Sequence, residues 1–238
     1  MAVDTEALMS SLSRLQARTD HEHDLVTALN EVTEACVELF DVAGSGIMLA
    51  DDQNILRYTA ASDEPGRVLE LLESDTGQGP CTEAFVTDRT VPVTDLTEQR
   101  QWPDLLAAVA RLEIRAVLGV PVRLGAITIG TLDVYRNRPH EWDESEQRAL
   151  NRYADLVESA LASALKAHRA EELAGQLQYA LDYRVTIERG VGYLMARDSV
   201  DPVTAFNRLR RAARGTQRKI GDVATELLTT GRLPSARP

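Results

Sequence analysis

The sequence predicts an α+β protein with an antiparallel sheet and flanking helices, then a long coiled-coil helix, then a bundle of three helices. Two observations support this prediction. Between residues 44 and 136, segments that alternate with a period of two are joined by turn residues and interrupted by short helical segments. After residue 143, apolar residues recur at helical spacing and no strand pattern returns.

The first 40 residues predict two amphipathic helices. Leu8, Leu12 and Leu15 have helical spacing, and a second helix from about residue 20 to residue 40 carries Cys36 on its apolar face. We interpret Cys36 as a core residue. We then expect strands at residues 44–50, 55–61, 90–96, 115–124 and 126–136, with helices at about 67–74, from 81 and at 104–112.

The region after residue 143 predicts a helical relay. Asp143 and Glu146 have the spacing of a capping box, which begins a helix. Two apolar seams follow at coiled-coil spacing but out of heptad register with each other, so we expect a homodimer joined through this helix. The seams are Leu150, Ala154, Val157, Leu161 and Ala164, then Leu173, Leu177, Ala180, Arg184, Ile187, Val191 and Leu194.

Three helices are expected near the C-terminus. The first ends near Ala196, the second begins at Asp201 and Pro202, and the third spans 217–230 and ends at Gly231. The domain boundaries that follow are an N-terminal helix at 1–19, a mixed domain at 20–165, a helical linker at 166–176 and a C-terminal bundle at 177–233.

Charge separates the chain into two parts and composition excludes several classes. The net charge is -11, but residues 1–168 carry -15 and residues 169–238 carry +4.

No apolar run is long enough for a membrane helix and Asp4 and Glu6 occupy the N-terminus, so we expect a cytoplasmic protein. The chain has two cysteines and no CxxC, P-loop or GxSxG motif, so we expect no metal, no cofactor and no enzymatic activity.

A basic cluster in the C-terminal region suggests a nucleic-acid surface. Six cations occur between residues 208 and 219 with no acid among them, and five are arginines, which form bidentate phosphate contacts. A solvated helix face is the simpler explanation, and a helix-turn-helix that binds DNA fits nearly as well. Gly190 and Gly192 lie within a helix, where bare backbone serves either a close helix crossing or the approach of RNA.

Residues 187–228 resemble an ANTAR domain, the RNA-binding module of bacterial transcription antiterminators. The resemblance rests on Gly192-x-Leu194-Met195, on Ala205-Phe206-x-x-Leu209-Arg210-x-x-Ala213 and on Lys219-Ile220-x-Asp222-Val223-Ala224. It departs from the family at Gly190-Val191, where Ala-Lys is usual. The resemblance implies binding to hairpin RNA of nascent transcripts, for which the candidate residues are Arg189, Gly192, Arg208, Arg210, Arg211, Arg214, Arg218 and Lys219.

Residues 21–165 resemble the GAF fold of small-ligand sensors, in the variety that actinobacterial antiterminators carry ahead of their ANTAR domain. The segments GQGPCTEAF, PVTDL, WPDL and RAVLGVPV to GTLDVYR carry the resemblance. It implies a GAF–ANTAR regulator whose first domain senses a small molecule. We expect a pocket between the sheet and the segment 77–85, lined by Met48, Gly79, Cys81, Phe85, Thr131 and Asp133.

Cys81 leaves two interpretations open. It opens a helix directly after Gly79 and Pro80, where the helix dipole can lower the pKa of a thiol. A small residue packed under the sheet explains the position equally well. The first interpretation gives an alternative function, a GAF-fold thiol reductase that acts through Cys81.

Overall fold

The computed structural model describes residues 3–19, 25–109, 111–167 and 170–234, and within them the side chains of all but 18–19, 108, 166–167 and 170–182. The chain divides into two compact units, the first formed by residues 1–50 and 56–168 and the second by residues 51–55 and 169–238. Residues 168 and 169, and all side chains of the predicted linker 166–176, lie outside the described part.

The first unit contains a five-stranded antiparallel sheet with helices on both faces, as predicted. The strand order is β2-β1-β5-β4-β3, with hairpins β1-β2 and β4-β5. The elements are α1 (Thr5–Thr19), α2 (Leu25–Phe40), β1 (Gly44–Ala50), β2 (Leu56–Ala61), α3 (Glu64–Thr76), α4 (Pro80–Thr87), β3 (Val91–Val93), a 3-10 turn (Leu96–Glu98), α5 (Pro103–Val109), β4 (Ala116–Leu124), β5 (Ile127–Arg136) and α6 (Glu144–Ala167).

The two faces of the sheet differ in chemistry because side chains alternate along each strand. The face that packs against α2 and α6, here called the apolar face, presents Ile47, Leu118, Val120, Leu132 and Val134, all fully buried. The opposite face, covered by α3 and α4 and here called the polar face, carries Met48, Thr131, Asp133 and Tyr135.

The start of α6 is fixed by the predicted capping box. Asp143 Oδ1 accepts from the backbone N–H of Glu146 at 3.0 Å, and Glu146 Oε2 accepts from the N–H of Asp143 at 2.9 Å. Glu146 is buried and its carboxylate also contacts His140 Nε2 at 2.9 Å. The beginning of α6 is therefore tied to the segment that follows β5.

Trp142 anchors the same junction to the edge of the sheet. Its side chain is buried, its indole N–H donates to the Val93 carbonyl at 3.2 Å, and the Arg136 guanidinium lies 5.5 Å from the ring centroid. The His140 ring meets it edge-on, with centroids 4.7 Å apart. Because these contacts come from three segments, Trp142 joins β3, β5 and α6.

The first predicted coiled-coil seam is instead part of the core of the first unit. Leu150, Ala154, Val157 and Leu161 are buried against α2 and the sheet within a single chain. A helix packed on a sheet and a helix in a coiled coil both need apolar residues three and four positions apart, so spacing alone did not separate the two. This seam therefore gives no support to a dimer.

The second unit is the expected bundle, formed by α7 (Ala170–Asp198), α8 (Pro202–Thr216) and α9 (Ile220–Thr230). Asp201 caps α8 by accepting from the Thr204 N–H at 2.9 Å, and Gly231 ends α9 in the left-handed region at φ 72°. Gln217 is the left-handed C-cap of α8 at φ 53°, which is why α9 begins at 220 and not at 217. The core is formed by Ile187, Leu194, Leu209, Val223 and Leu227.

None of the helices described above has an apolar stretch that matches the thickness of a bilayer.

Candidate functional site

The six cations of the basic cluster are divided between exposed and paired positions. Arg211 and Arg214 are exposed and lie three residues apart, so they share one side of α8. Arg208 donates to Asp198 at 2.6 Å and Arg218 pairs with Glu226, so acids from α7 and α9 neutralise part of a cluster that has no acid within it. Lys219 is the half-buried N-cap residue of α9.

Arg210 does not fit its predicted role. Its side chain is only 5% exposed, whereas the neighbouring Arg211 is exposed. Successive residues on a helix point about 100° apart, so one of two adjacent arginines turns inward when the other turns outward. Direct contact of Arg210 with RNA is therefore the wrong assignment.

Helix packing explains one of the two glycines within α7 but not the other. A Cβ at Gly190 would lie 3.1 Å from the Ala224 Cβ and 3.3 Å from Leu209 Cδ1, so Gly190 permits a close crossing of α7 with α8 and α9. A Cβ at Gly192 would meet no described atom within 4 Å. Packing accounts for Gly190 but leaves the bare backbone at Gly192 without a structural reason.

Tyr193 is a functional candidate that the sequence analysis missed. It is 36% exposed beside Gly192 and lies four residues after the exposed Arg189. The Arg197 guanidinium lies 5.7 Å from the Tyr193 ring centroid, and Arg197 and Arg208 both pair with the Asp198 carboxylate. The spacing of Arg189, Tyr193 and Arg197, four residues apart on one helix side, was the signal that could have identified this surface.

On the polar face of the first unit, four acidic or thiol side chains lie close together in the interior. Glu70 and Glu73 come from α3, Cys81 from the start of α4 and Asp133 from β5, and each is 1% exposed. We call them the acid–thiol cluster. The Cys81 Sγ lies 3.4 Å from Asp133 Oδ2, and Glu73 Oε2 accepts from the Thr82 N–H at 2.9 Å.

Burial sets the protonation of this cluster. It raises the pKa of Glu73 to about 8. Burial, and then the neighbouring Asp133, raise the pKa of Glu70 and of the Cys81 thiol well above their ordinary values. Without a bound cation the cluster therefore holds protons near neutral pH.

Two glycines make room for these carboxyl groups. A Cβ at Gly46 would lie 2.0 Å from Glu70 Oε1, and a Cβ at Gly79 would lie 2.3 Å from Glu73 Cδ. Gly79 also has φ 138°, which favours glycine. Any larger residue at either position would displace an acid of the cluster.

The expected ligand pocket is filled by the chain itself. Met48, Cys81 and Phe85 pack together in the interior between the sheet and α4, and Thr131 and Asp133 are buried on the same face. The N-terminus of α4, expected to present N–H groups to a ligand, donates from Thr82 to Glu73 of the same chain. The predicted residues are close together, but as a packed interior and not as an open pocket.

The environment of Cys81 does not favour the reactive thiolate that its position at a helix N-terminus suggested. Burial, and then three neighbouring carboxyl groups, raise the pKa of the Cys81 thiol and favour its neutral form, which outweighs the effect of the helix dipole of α4. Cys36 is fully buried against the apolar face, and burial also raises the pKa of its thiol. The core assignment of Cys36 is confirmed.

Comparison with known proteins identifies both units. The family model of the GAF domain matches residues 22–162, and that of the ANTAR domain matches residues 175–228. A search of curated proteins finds no match.

Solved structures similar to this chain share the fold of the first unit. The free methionine-R-sulfoxide reductase from Neisseria meningitidis, in complex with its substrate, is 21% identical with a TM-score of 0.56, over 70% of this chain and 96% of that chain. The GAF domain from an Acinetobacter phosphoenolpyruvate-protein phosphotransferase is 18% identical with a TM-score of 0.53, over 67% and 96% of the two chains. The phycocyanobilin-bound GAF domain from a cyanobacterial phytochrome is 16% identical with a TM-score of 0.57, over 68% and 97%.

At these identities the likeness shows the fold alone. The GAF model, however, covers more than half of the chain, and the ANTAR model follows it directly. The chain therefore belongs to the GAF-domain family and is a GAF–ANTAR regulator.

Proposed function

We propose that this chain is a signal-responsive transcription antiterminator that binds hairpin RNA of nascent transcripts through its ANTAR domain. The observation that carries the proposal is the outer side of α7, where Arg189, Gly192 and Tyr193 are exposed together and a Cβ at Gly192 would meet no described atom within 4 Å. Bare backbone beside a cation and an aromatic ring suits the close approach of a nucleic acid.

The second basic surface has the right chemistry for phosphate contacts. Arg211 and Arg214 are exposed on one side of α8, and arginine holds phosphate oxygens through two parallel N–H groups. We propose Arg189, Gly192, Arg208, Arg211, Arg214, Arg218 and Lys219 as the RNA-binding residues, with Tyr193 added. Arg208 and Arg218 would exchange their acids Asp198 and Glu226 for phosphates.

Tyr193 favours RNA over duplex DNA. Unpaired bases of a hairpin loop stack on aromatic side chains, whereas the bases of a duplex are stacked on each other and show only their edges. An exposed ring with an arginine 5.7 Å from its centroid offers such a stacking surface.

A direct comparison of two nucleic acids tests the proposal. At matched salt concentration, the full-length protein should bind an RNA with two hairpins at least about tenfold more tightly than duplex DNA of the same length, a difference of about 1.4 kcal/mol. Measurement of both affinities by fluorescence anisotropy is sufficient. Equal affinities would instead favour a DNA-binding regulator.

We propose further that the chain is not an enzyme. A thiol reductase needs an accessible thiol that ionises easily, whereas Cys81 is 1% exposed and its pKa is raised by burial and by Asp133. A Cys81→Ser variant should therefore leave RNA binding unchanged, and loss of a measurable reductase turnover in that variant would establish the alternative.

The homodimer stays a proposal that now depends on the part of the second seam before residue 183. Ile187, Val191 and Leu194 belong to the core of the bundle, which leaves Leu173, Leu177 and Ala180, whose side chains lie outside the described set. Sedimentation at micromolar concentration should show a dimer in the cytoplasmic protein we envisage, and Leu173→Glu with Leu177→Glu should give a monomer. A monomeric wild-type protein would remove the dimer from the mechanism.

A further inference from the structure

The acid–thiol cluster contains buried polar atoms that lack hydrogen-bond partners within the described part of the chain. Both oxygens of Glu70, Oε1 of Glu73 and the Thr131 hydroxyl are buried without a hydrogen-bond partner among the described residues. Among the described residues of the first unit, no lysine or arginine is buried. Buried acceptors left without partners are costly, so the arrangement suits a cation.

The geometry of three of these groups converges on one point. One ligand atom each from Glu70, Cys81 and Asp133 lies within 4.8 Å of the other two, and all three side chains are buried. Metal–oxygen bonds of about 2.0–2.2 Å and metal–sulfur bonds of about 2.3 Å place the ligands of one ion at comparable separations. We propose that Glu70, Cys81 and Asp133 bind a divalent transition-metal ion of the zinc or ferrous type.

The donor set selects the class of ion. A thiolate together with carboxylates suits zinc and iron, whereas magnesium and calcium bind through oxygen alone. When the ion binds, the Cys81 thiol and the Glu70 carboxyl group lose their protons to solvent, and the sulfur and a carboxylate oxygen form bonds to the metal. Three protein ligands leave a coordination position for Glu73, water or a small molecule.

The packing excludes an organic cation. Met48 and Phe85 fill the space beside Cys81, and Glu70 Oε1 lies 2.0 Å from where a Cβ of Gly46 would stand. A single ion needs only the volume between its ligands, while an amine also needs space for its carbon atoms. All residues of the site belong to the GAF domain, so metal binding can be measured without RNA.

The three ligands are far apart along the chain, which is why the sequence predicted no metal site. Glu70 and Cys81 lie on consecutive helices and Asp133 lies on a strand 52 residues after Cys81. No short motif such as CxxC indicates this arrangement in the sequence, because it forms only when α3 and α4 pack on the polar face.

Metal titration of the full-length protein tests the site. Chelator-treated, reduced protein should bind one equivalent of Zn2+ per chain, and Co2+ in its place should give a thiolate-to-cobalt charge-transfer band. Cys81→Ala should abolish the band and weaken Zn2+ binding by more than about tenfold, since even changes outside the ligand set cost roughly 10- to 100-fold. Glu70→Gln should weaken Zn2+ binding while it retains the band.

Cys36→Ala is the matched control, because it removes the other buried thiol of the domain from the opposite, apolar face. It should bind Zn2+ like the wild type and keep the cobalt band. Wild-type protein that shows no thiolate-to-cobalt band, or Zn2+ affinity that is equal in wild type and Cys81→Ala, would overturn the proposal and leave the carboxyl groups as a protonated interior.

Discussion

Replacement of Trp142 by alanine should lower the free energy of unfolding of the GAF domain by about 3–5 kcal/mol, the usual cost of removing a large buried aromatic side chain. Trp142 is 4% exposed and contacts Val93, Arg136 and His140 from three different segments. The neighbouring residues cannot all move inward to fill the space because the capping box of α6 holds the adjacent backbone. Urea denaturation followed by far-ultraviolet circular dichroism measures this loss.

Trp142→Phe separates the packing from the hydrogen bond. It keeps an aromatic ring beside Arg136 but leaves the Val93 carbonyl without the indole donor, so we expect a smaller loss that includes about 1 kcal/mol for that hydrogen bond. If Trp142→Ala unfolds at the same urea concentration as the wild type, the junction between β3, β5 and α6 is not held by this side chain.

The largest effect on binding should come from Arg211→Ala combined with Arg214→Ala. Both side chains are exposed on one side of α8, so their removal should leave the bundle folded. Affinity for a two-hairpin RNA should fall at least about tenfold, or about 1.4 kcal/mol. Each lost phosphate contact should also flatten the dependence of log affinity on log salt by roughly 0.7–0.9.

Arg148→Ala with Arg152→Ala is the control for net charge. It removes the same two positive charges from α6 of the GAF domain, at side chains that are 71% and 70% exposed. This variant should bind RNA like the wild type. If both double variants lose affinity equally, net charge governs the binding and Arg211 and Arg214 do not define the surface.

The fold was largely readable from the sequence because each element has a local signal. β1 runs from Gly44 to Ala50, as the period of two predicted, and the capping box of α6 and the cap at Asp201 are where the residue types placed them. The predicted start of α9 was three residues too early. Gln217 is the left-handed C-cap of α8, a position that glycine usually occupies, so the sequence did not mark it as the end of a helix.

The sites were harder to predict because they depend on contacts between distant segments. The sequence showed six cations, but not that Asp198 and Glu226 would pair with two of them or that Arg210 would turn inward. It placed Cys81 at a helix N-terminus, but burial, and then three carboxyl groups from α3 and β5, raise the pKa of its thiol. Pairings of this kind arise only in the folded chain.

The strand β5 gives the two faces of the sheet a mechanical connection. Asp133 points toward the acid–thiol cluster, while its neighbours Leu132 and Val134 point into the core that holds α6. Adjacent residues share a peptide unit that is nearly planar and rigid, so a shift of the Asp133 backbone also moves the backbone of Leu132 and Val134. A change in the protons or the ion bound by the acid–thiol cluster that moves the Asp133 backbone would thus also move the residues that pack against α6.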